Sequence, residues 1–450
     1  EDIAGRDSRK LLNEIAARPQ MFVGQERIER STAPVWRRSG PLQQCRVALR
    51  AFVVASGDTY TVLPGGLVRI AADMHQLDLS ILAGEGSKDA WVAAEAPVQK
   101  VTLLRPPGQA IELRRSGAEL PSRVADNLFW LGRQVERAAA AARLLRPTLL
   151  RLTSESGAVT LPELTALLRC LAAQGQIEPG FVVEGIREQL PAIEKALPAA
   201  VLDETQSGSL AATIRAVYLN ASLVRDRTSI DSWRIMYGIE QQRAALSARK
   251  PVELNDLLEF SNRLIRELAA FDGLVSESMT RTQAWRFLDL GRRLERALQI
   301  ITLVQNAALQ GPVEPAVLEA VLEVADSIMT YRSRYLATMQ LAPVLDLLLT
   351  DETNPRSLVY QLRALADHVE QLPRERVQTL RSAEQRAAMS ALHSLHMIDL
   401  EALEEKPGGH DRTRIDRLLS RLADQLPRLS ETISNRYLIH ASVPRPLADV

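Results

Sequence analysis

Residues 120–137 read LPSRVADNLFWLGRQVER and open a pattern of Leu, Ala, Arg and Glu at helical spacing that continues to about residue 440. Pro121 and Ser122 suit the start of a helix, since proline lacks an N–H that the first turn leaves unpaired anyway. One stripe of this helix is apolar and comprises Leu128, Leu131, Val135, Ala138, Ala142 and Leu145. We expect Pro147 to end the helix, because proline removes a backbone hydrogen bond.

The preceding segment, from Met21 to about Leu113, has a different pattern. Short runs of residues that favour strands are separated by turns such as Ser56-Gly57-Asp58 and Pro64-Gly65-Gly66. The runs read MFVGQE, RVALRAFVVAS, TYTVLP, LVRIAAD, AWVAA and KVTLL. A chain of 450 residues exceeds what one core usually supports. We therefore predict two domains, at residues 1–114 and 119–445, and because the chain opens with Glu1 we expect the protein to start upstream.

The second domain is predicted to be all-helical. Pro343, Pro355, Pro373 and Gly408-Gly409 punctuate its helical patterns. After the helix that starts at residue 122, the predicted helices span about residues 160–173, 206–222, 230–248, 252–272, 277–310, 313–336, 355–371, 378–403 and 411–438.

Two motifs recur in the same order within this domain. Leu131-Gly132-Arg133 with Glu136-Arg137 returns as Leu290-Gly291-Arg292 with Glu295-Arg296. Downstream, Ser209-Leu210 with Ile214-Arg215-Ala216 returns as Ser357-Leu358 with Leu362-Arg363-Ala364. Two matches in register predict two related halves, at about residues 121–275 and 277–440, packed face to face.

Charged residues in both copies lie beside large apolar ones, which is unusual for a solvated helix face. They form either exposed surface ion pairs or a partly buried polar seam between the halves. A buried seam would in turn either hold the fold together or form an anion-binding cleft. The candidate seam residues are Asp126, Arg133, Glu136, Arg137, Arg225, Asp226, Arg227, Asp231, Arg292, Glu295, Arg296, Arg332, Arg334, Tyr335, Asp351, Glu352 and Arg356.

The composition argues against several classes of protein. Lys plus Arg and Asp plus Glu both total 55, and the absence of net charge disfavours nonspecific binding to nucleic acid or to anionic membranes. No apolar run has the length of a membrane span. Cys45 and Cys170 imply neither a disulfide framework nor a zinc site. We expect a cytoplasmic protein with no metal held by cysteine and histidine.

Known catalytic motifs are scarce. The sequence has no P-loop, no H-E-x-x-H and no E-x-x-H pair of the kind found in dimetal bundles. The six histidines are mostly isolated, and His393 and His396 are more simply explained as polar helix positions than as ligands of a shared metal. The catalytic residues are therefore unknown at this level.

Four ordered blocks resemble the bacterial alpha-E domain and together cover about residues 119–440. They are residues 120–137, Val224-Arg-Asp-Arg-Thr-Ser-Ile-Asp-Ser-Trp233, Met329-Thr-Tyr-Arg-Ser-Arg-Tyr335 and Asp346-Leu-Leu-Leu-Thr-Asp-Glu-Thr-Asn-Pro-Arg-Ser357. The resemblance implies a large helical domain.

The preceding segment resembles the C-terminal part of the type 2 circularly permuted ATP-grasp family. The matching residues are Phe22-Val-Gly-Gln-Glu26, Ser31-Thr-Ala-Pro34, Leu49-Arg-Ala-Phe52, Leu63-Pro-Gly-Gly-Leu-Val-Arg69 and Gly84-Glu-Gly-Ser-Lys-Asp-Ala-Trp91. Ala51, where the family usually has proline, and Glu85, within a stretch that is usually all glycine, depart from the pattern. The implied fold class is mostly α, a helical domain preceded by an α/β remnant of the ATP-grasp domain.

The resemblance implies a carboxylate-amine ligase that uses ATP and Mg²⁺. In such a reaction a carboxylate is phosphorylated and an amine attacks the acyl phosphate. By this resemblance Gln25 and Glu26 match the adenine-side hinge, and Arg50 and Arg69 are candidates for phosphate or carboxylate contacts, since guanidinium suits oxyanions. Lys88 is a weaker candidate, and each of these residues could instead be an ordinary surface charge. Most of the nucleotide site is expected upstream, so this chain alone is not expected to be a competent ligase.

Three functional hypotheses remain open. The helical domain could be the accessory or substrate-binding module of a ligase that makes or modifies peptides, with carboxylate and amine substrates and a possible protein partner. It could instead be a protein-interaction scaffold without chemistry. The third hypothesis places an active site in the seam itself and ranks last, because no nucleophile or metal cluster accompanies the charges.

Overall fold

The computed structural model describes residues 8–23, 31–36, 41–56, 58–71, 86–94, 120–153, 161–183, 185–311, 313–373, 380–398, 400 and 409–438. The chain forms two compact units, Glu1–Glu112 and Leu113–Val450. Within the described ranges, every helix is too short or too polar to cross a bilayer.

The N-terminal unit combines one helix with antiparallel strands. Helix α1 spans Ser8–Ala17, and a four-stranded sheet has the order β1-β2-β5-β6. Its strands are β1 (Thr32–Val35), β2 (Gln43–Arg50), β5 (Gly66–Ile70) and β6 (Gly86–Ala90). Strands β3 (Val53–Ser56) and β4 (Thr59–Val62) form a separate hairpin. Cys45 and Ile70 are buried in this small core.

The strand predictions correspond to β2 to β5 in the middle of the segment, whereas the runs at its two ends differ from the structure or lie outside the described residues. Met21 lies in a short 3₁₀ turn that begins with Pro19, and the rest of the MFVGQE run lies largely outside the described residues. The predicted AWVAA strand is wrong beyond Ala90, because the strand is the preceding Gly86–Ala90 and Trp91 is exposed. The KVTLL run lies outside the described residues. The unpredicted strand β1 contains Pro34, which a sheet tolerates at its edge.

The second unit is helical throughout its described ranges. Its longer helices are α2 (Ser122–Thr153), α3 (Pro162–Ala173), α4 (Ile193–Leu202), α5 (Leu210–Leu223), α6 (Ile230–Ser247), α7 (Leu254–Ser278), α8 (Gln283–Leu303), α9 (Pro315–Val324), α10 (Ile328–Tyr335), α11 (Leu341–Leu345), α12 (Leu358–Glu370), α13 (Ala383–His396) and α14 (Gly409–Ile433). Single π-helical turns extend α8, α11 and α14. Together with the N-terminal strands, this architecture confirms the predicted fold class.

Among the differences between the predicted and observed helices, two have a clear physical reason. Helix α2 continues through Pro147, because Thr148 and Leu149 beyond it are buried and the Thr148 hydroxyl donates to the Leu144 carbonyl at 2.8 Å. The predicted helix at 313–336 is divided into α9 and α10, since Asp326 adopts a positive φ of 56° that an α-helix cannot contain. Tertiary packing thus extends α2 beyond Pro147, and the backbone conformation of Asp326 interrupts the helical pattern of residues 313–336.

Helices α2 and α8 cross with their backbones in direct contact at Gly132 and Gly291. A Cβ atom added to Gly132 would lie 2.0 Å from the carbonyl oxygen of Leu288, and one added to Gly291 would lie 2.1 Å from that of Phe129. The two contacts are reciprocal, because each glycine faces the residue three positions before the other. Only glycine permits this approach on both helices.

A second pair of matching features precedes α5 and α12, at residues 203–209 and 351–357, which we call the DET turns. In each turn an aspartate Oδ1, of Asp203 or Asp351, accepts from the backbone N–H and the hydroxyl of the threonine two positions later, at 2.9 and 2.7 Å. In each, the final serine caps the next helix, since the Ser209 Oγ accepts from Ala212 N and the Ser357 Oγ from Tyr360 N. The predicted division into two halves stays a prediction, which these matched contacts support.

Each compact unit contains one buried free cysteine. Cys45 lies on β2 and Cys170 on α3, and both are fully shielded from solvent. Burial raises the pKa of the Cys170 thiol to about 12.

The reciprocal glycine contact predicts a steep cost for a single methyl group. We expect Gly132→Ala and Gly291→Ala each to lower the free energy of unfolding by about 3 kcal/mol, because the new Cβ overlaps a backbone carbonyl that no rotamer change can move. Urea unfolding followed by circular dichroism measures the change.

Gly273→Ala is the matched control, since Gly273 lies within helix α7 with no atom within 4 Å of its added Cβ. This variant should be about 0.5–1 kcal/mol more stable than the parent, because alanine is the better helix former. Equal effects at Gly132 and Gly273 would show that the crossing does not depend on glycine.

Candidate functional site

Two ion pairs with buried carboxylates connect α2 and α8 just beyond the glycine crossing, and we call them the ER bridges. In the first, Arg296 donates from Nε and Nη2 to the two carboxylate oxygens of Glu136, both at 2.6 Å. In the second, Arg137 donates from the same two nitrogens to Glu295 at 2.8 and 3.1 Å. Each Glu-Arg dipeptide therefore gives its acid to one bridge and its base to the other.

The bridges hold both glutamates in the ionised form. Burial alone would raise the pKa of Glu136, but the charge of Arg296 and its hydrogen bonds lower that pKa to about 2. Burial likewise opposes ionisation of Glu295, and the hydrogen bond and charge of Arg137, assisted by Arg133, lower its pKa below the usual range. Arg133 contacts Glu295 at 2.9 Å and its guanidinium lies 5.0 Å from the Trp130 ring.

A second buried charge cluster surrounds Asp289 on α8. One oxygen, Oδ2, lies 2.7 Å from Nε2 of His368 and 3.0 Å from Nε of Arg293. Arg292 contacts the other oxygen at 3.3 Å and also reaches Asp272 at 2.6 Å. Burial raises the pKa of Asp289, but the hydrogen bond from His368 and the nearby arginines outweigh it and keep that pKa far below its usual range. Sequence reasoning missed this cluster, since nothing local links two residues 79 positions apart.

A partly enclosed cavity of about 50 Å³ lies beside the first ER bridge. Its polar lining residues are Glu136, Arg143, Gln174, Arg296, Gln299 and Arg356, and the rest of its wall is aliphatic. The amide of Gln174 donates to Gln299 at 2.7 Å, and Gln299 donates to Glu295 at 3.1 Å. Glutamine side chains thus link this cavity to the second ER bridge.

The structure brings part of the predicted seam together and separates the rest. Arg133, Glu136, Arg137, Glu295 and Arg296 converge at the ER bridges, whereas Arg292 belongs to the Asp289 cluster. Asp126 is half-buried on α2. The remaining residues lie elsewhere, apart from Arg356, which lines the cavity.

Other candidates are exposed or form exposed to half-buried pairs near the helix ends. Arg225, Asp226 and Arg227 are exposed between α5 and α6, and Asp231 is exposed in the first turn of α6, so these four residues lie outside the buried seam. The carboxylate of Asp351 pairs with Arg334 at 2.5 Å, and Tyr335 donates to Asp346 at 2.9 Å. Glu352 pairs with Arg363 at 2.8 Å, and Arg332 pairs with Glu319 at 2.6 Å. These contacts fasten the second DET turn and α10.

In the N-terminal unit, the strand register separates the predicted nucleotide contacts. Arg50 is paired with Leu67 and Arg69 with Ala48, which places both arginines on one face of the sheet. Lys88, paired with Val68, projects from the other face and donates to the Pro34 carbonyl. Gln25 and Glu26 lie outside the described residues.

The family is decided by a match over most of the helical unit. A family model described as "a predicted alpha-helical domain with a conserved ER motif" matches residues 120–438. The chain belongs to the Alpha-E family. The Glu136-Arg137 and Glu295-Arg296 dipeptides of the bridges fit the ER motif that gives the family its description. A model of circularly permuted ATP-grasp type 2 matches residues 1–71, so both resemblances seen in the sequence are confirmed.

Known proteins similar to this Alpha-E chain include the "Uncharacterized protein Rv2567" of Mycobacterium tuberculosis, 30% identical over 377 residues. That alignment covers 80% of the chain and 42% of the relative, so the chain spans less than half the length of this relative. A Frankia casuarinae protein named "Putative glutamate--cysteine ligase 2-2" is 41% identical over 78 residues, 17% of the chain and 9% of that protein. No solved structure matches.

Removing one acid of an ER bridge should destabilise this Alpha-E unit strongly. We expect Glu136→Gln to lower the free energy of unfolding by about 3–5 kcal/mol, because Arg296 would remain buried without its carboxylate. Urea unfolding at pH 7 measures the loss. The control is Asp231→Asn, which breaks an exposed pair with Arg234 and should change stability by less than about 1 kcal/mol.

The same bridge predicts an acid-dependent loss of stability. The folded pKa of Glu136, about 2, lies below its ordinary value of 4.5, so its carboxylate stabilises the fold above pH 4.5. That contribution is lost as the pH falls from about 4.5 towards 2. We expect the stability difference between the parent and Glu136→Gln to shrink over this window, as measured by urea unfolding at several pH values. A difference that is constant down to pH 3 would contradict a depressed pKa.

Proposed function

We propose that this chain is a component of an ATP-dependent carboxylate-amine ligase system that makes or modifies peptides, with the Alpha-E domain as its accessory or substrate-binding module. The observation that supports it is the ATP-grasp type 2 match at residues 1–71, which precedes the Alpha-E match on the same chain. The Frankia relative is named as a putative glutamate–cysteine ligase, and an enzyme of that kind also joins a carboxylate to an amine.

The proposed chemistry has two steps. A substrate carboxylate attacks the γ-phosphorus of ATP, which releases ADP and leaves an acyl phosphate. An amine then attacks the carbonyl carbon, and inorganic phosphate departs with the bonding electrons. Cations lower the barrier of the first step by stabilising charge on the transferred phosphoryl group.

The described part of the N-terminal unit offers two such cations. Arg50 and Arg69 share one face of the sheet and suit oxyanion contacts, whereas Lys88 on the opposite face does not join them. Three or more His, Cys, Asp or Glu side chains placed to hold a metal ion do not occur within the described ranges. We therefore assign ATP contacts to the two arginines and assign no Mg²⁺ ligand.

The ligase proposal is tested by amine-dependent ADP release. The longest form of the protein that contains this chain should release ADP from Mg-ATP when given a panel of amino acids and short peptides as acids and amines. Arg50→Gln and Arg69→Gln should each reduce kcat/KM at least about tenfold, through the loss of a charge-assisted contact. The control Arg234→Gln changes an exposed pair in the helical unit and should leave the rate unchanged. A rate of ADP release that does not depend on the amine, or no ADP release with any of the acids and amines, would exclude this proposal.

A protein-interaction scaffold is the second candidate, and an aromatic patch on α5 and α6 favours it. Tyr218, Trp233 and Tyr237 form a cluster with ring centroids 5.7–6.4 Å apart, in which Tyr237 is exposed and the other two side chains are half-buried. Aromatic groups that reach the surface are common in protein interfaces. A scaffold without chemistry would bind a partner through this patch and give no ADP release.

A further inference from the structure

The two ER bridges are alike in their own geometry but differ in what surrounds them. Residues 129–137 of α2 correspond to residues 288–296 of α8, and when this alignment is extended Arg143 is equivalent to Thr302. In the DET turns Arg356 is equivalent to Gly208, since each directly precedes the capping serine. The first bridge therefore has two additional arginines that the second bridge lacks.

The two halves differ at the position before the capping serine of the DET turn. The first half has a close backbone contact there, and the second half has an ion pair. In the first half, a Cβ at Gly208 would lie 2.1 Å from the carbonyl oxygen of Gly175, so these two backbones are packed together. In the second half the corresponding positions are Arg356 and Asp326, which form an ion pair at 3.6 Å. Asp326 retains the positive φ of Gly175, at 56° against 70°. The fold itself therefore does not require a charge at either position.

Three guanidinium groups meet at the cavity beside the first bridge, from three different segments. Arg143 comes from α2, Arg296 from α8 and Arg356 from the second DET turn. Glu136 is the one carboxylate among the cavity's described lining residues, and Arg296 already occupies both of its oxygens. The lining therefore carries three positive charges against one negative charge.

Arg143 has no carboxylate within ion-pair distance among the described residues, whereas Arg356 has one, that of Asp326 at 3.6 Å. Arg143 is nine-tenths buried, and its hydrogen bond within the described ranges is to its own helix, at the Ala139 carbonyl and a long 3.5 Å. Burial lowers the pKa of the Arg143 guanidinium. Burial, together with the charges of Arg296 and Arg143, lowers the pKa of Arg356 to about 10. A buried cation without a close carboxylate is costly, and a bound anion would offset that cost.

The volume limits what can enter. A cavity of about 50 Å³ exceeds the roughly 10–15 Å³ that one water molecule needs, but it is far too small for a nucleotide. A planar guanidinium group can donate two parallel hydrogen bonds to two oxygens of one carboxylate or phosphate group. The lining carries two net positive charges, and Asp326 partly offsets that of Arg356, so the cavity suits an oxyanion of one or two negative charges, such as a carboxylate or a phosphate group.

We propose that this arginine cavity, formed by Arg143, Arg296 and Arg356, is a binding site for one small oxyanion, a phosphate or carboxylate group, presented by a ligand whose remaining part contacts the aliphatic wall. This inference is independent of the ligase proposal, because it rests on the helical unit alone. The ER bridges hold the two helices together, and the additional arginines bind the ligand.

Isothermal titration with inorganic phosphate and, separately, with L-glutamate tests the site, with ionic strength held constant by sodium chloride. The parent chain should bind one equivalent of phosphate, or of glutamate if carboxylate is the preferred source. Arg143→Met keeps the volume of the side chain and removes its charge, so binding should weaken at least about tenfold. The same variant should be as stable as the parent, or more stable, when no oxyanion is present, because it removes a buried cation without a carboxylate partner.

Two further variants separate binding from folding. Arg356→Gly introduces the residue that the first half has at this position, so it should fold and should also weaken binding. Arg243→Met is the matched control, since Arg243 is equally buried but is paired with Glu240 at 2.9 Å and lies outside the cavity. It should lose stability and keep the affinity of the parent. Absence of binding by the parent for both ligands, or binding that Arg143→Met and Arg356→Gly leave intact, would overturn the proposal.

Discussion

The close approach of two backbones at Gly132 and Gly291 determines the geometry on which the helical unit depends. The carbonyl groups of Phe129 and Leu288 occupy the space that side chains would otherwise need. Because α2 and α8 are held this close, the acid and base of each Glu-Arg dipeptide reach across one helical turn later. Wider spacing would leave the buried carboxylates of Glu136 and Glu295 and the largely buried guanidinium of Arg296 without partners, at a cost of several kcal/mol for each ion. The absence of side chains at Gly132 and Gly291 therefore allows ion pairs to form between the two helices.

Features with a local or repeated signal could be read from the sequence. The apolar stripe that starts at Leu128 predicted α2, and the recurring Leu-Gly-Arg and Glu-Arg motifs predicted that two helices would play equivalent roles. The DET turns repeat Asp-Glu-Thr as well as the capping serine, so the sequence similarity between the halves extends over residues 203–209 and 351–357. Charge beside large apolar residues left exposed ion pairs and a buried seam both open at Arg133 and Glu136, and both residues are buried.

Features that depend on tertiary packing could not be read in this way. The extension of α2 past Pro147 depends on burial of the following turn, and the contact between Asp289 and His368 joins helices that only the fold brings together. Exposed clusters such as Arg225-Asp226-Arg227 resemble buried ones in sequence, because charge density does not reveal which face of a turn meets solvent. Arg143 carried a weaker signal, a cation within a run of alanines and leucines whose counterpart in the second half is uncharged.

The distribution of cysteine has a practical consequence. Each compact unit holds one thiol, Cys45 or Cys170, and neither reaches solvent in the folded chain. A thiol reagent can therefore modify either residue only when the surrounding segment opens, so each modification rate reports on a different unit. The protein carries its own pair of internal probes, which would show whether the sheet and the helical array open together or separately without any introduced label.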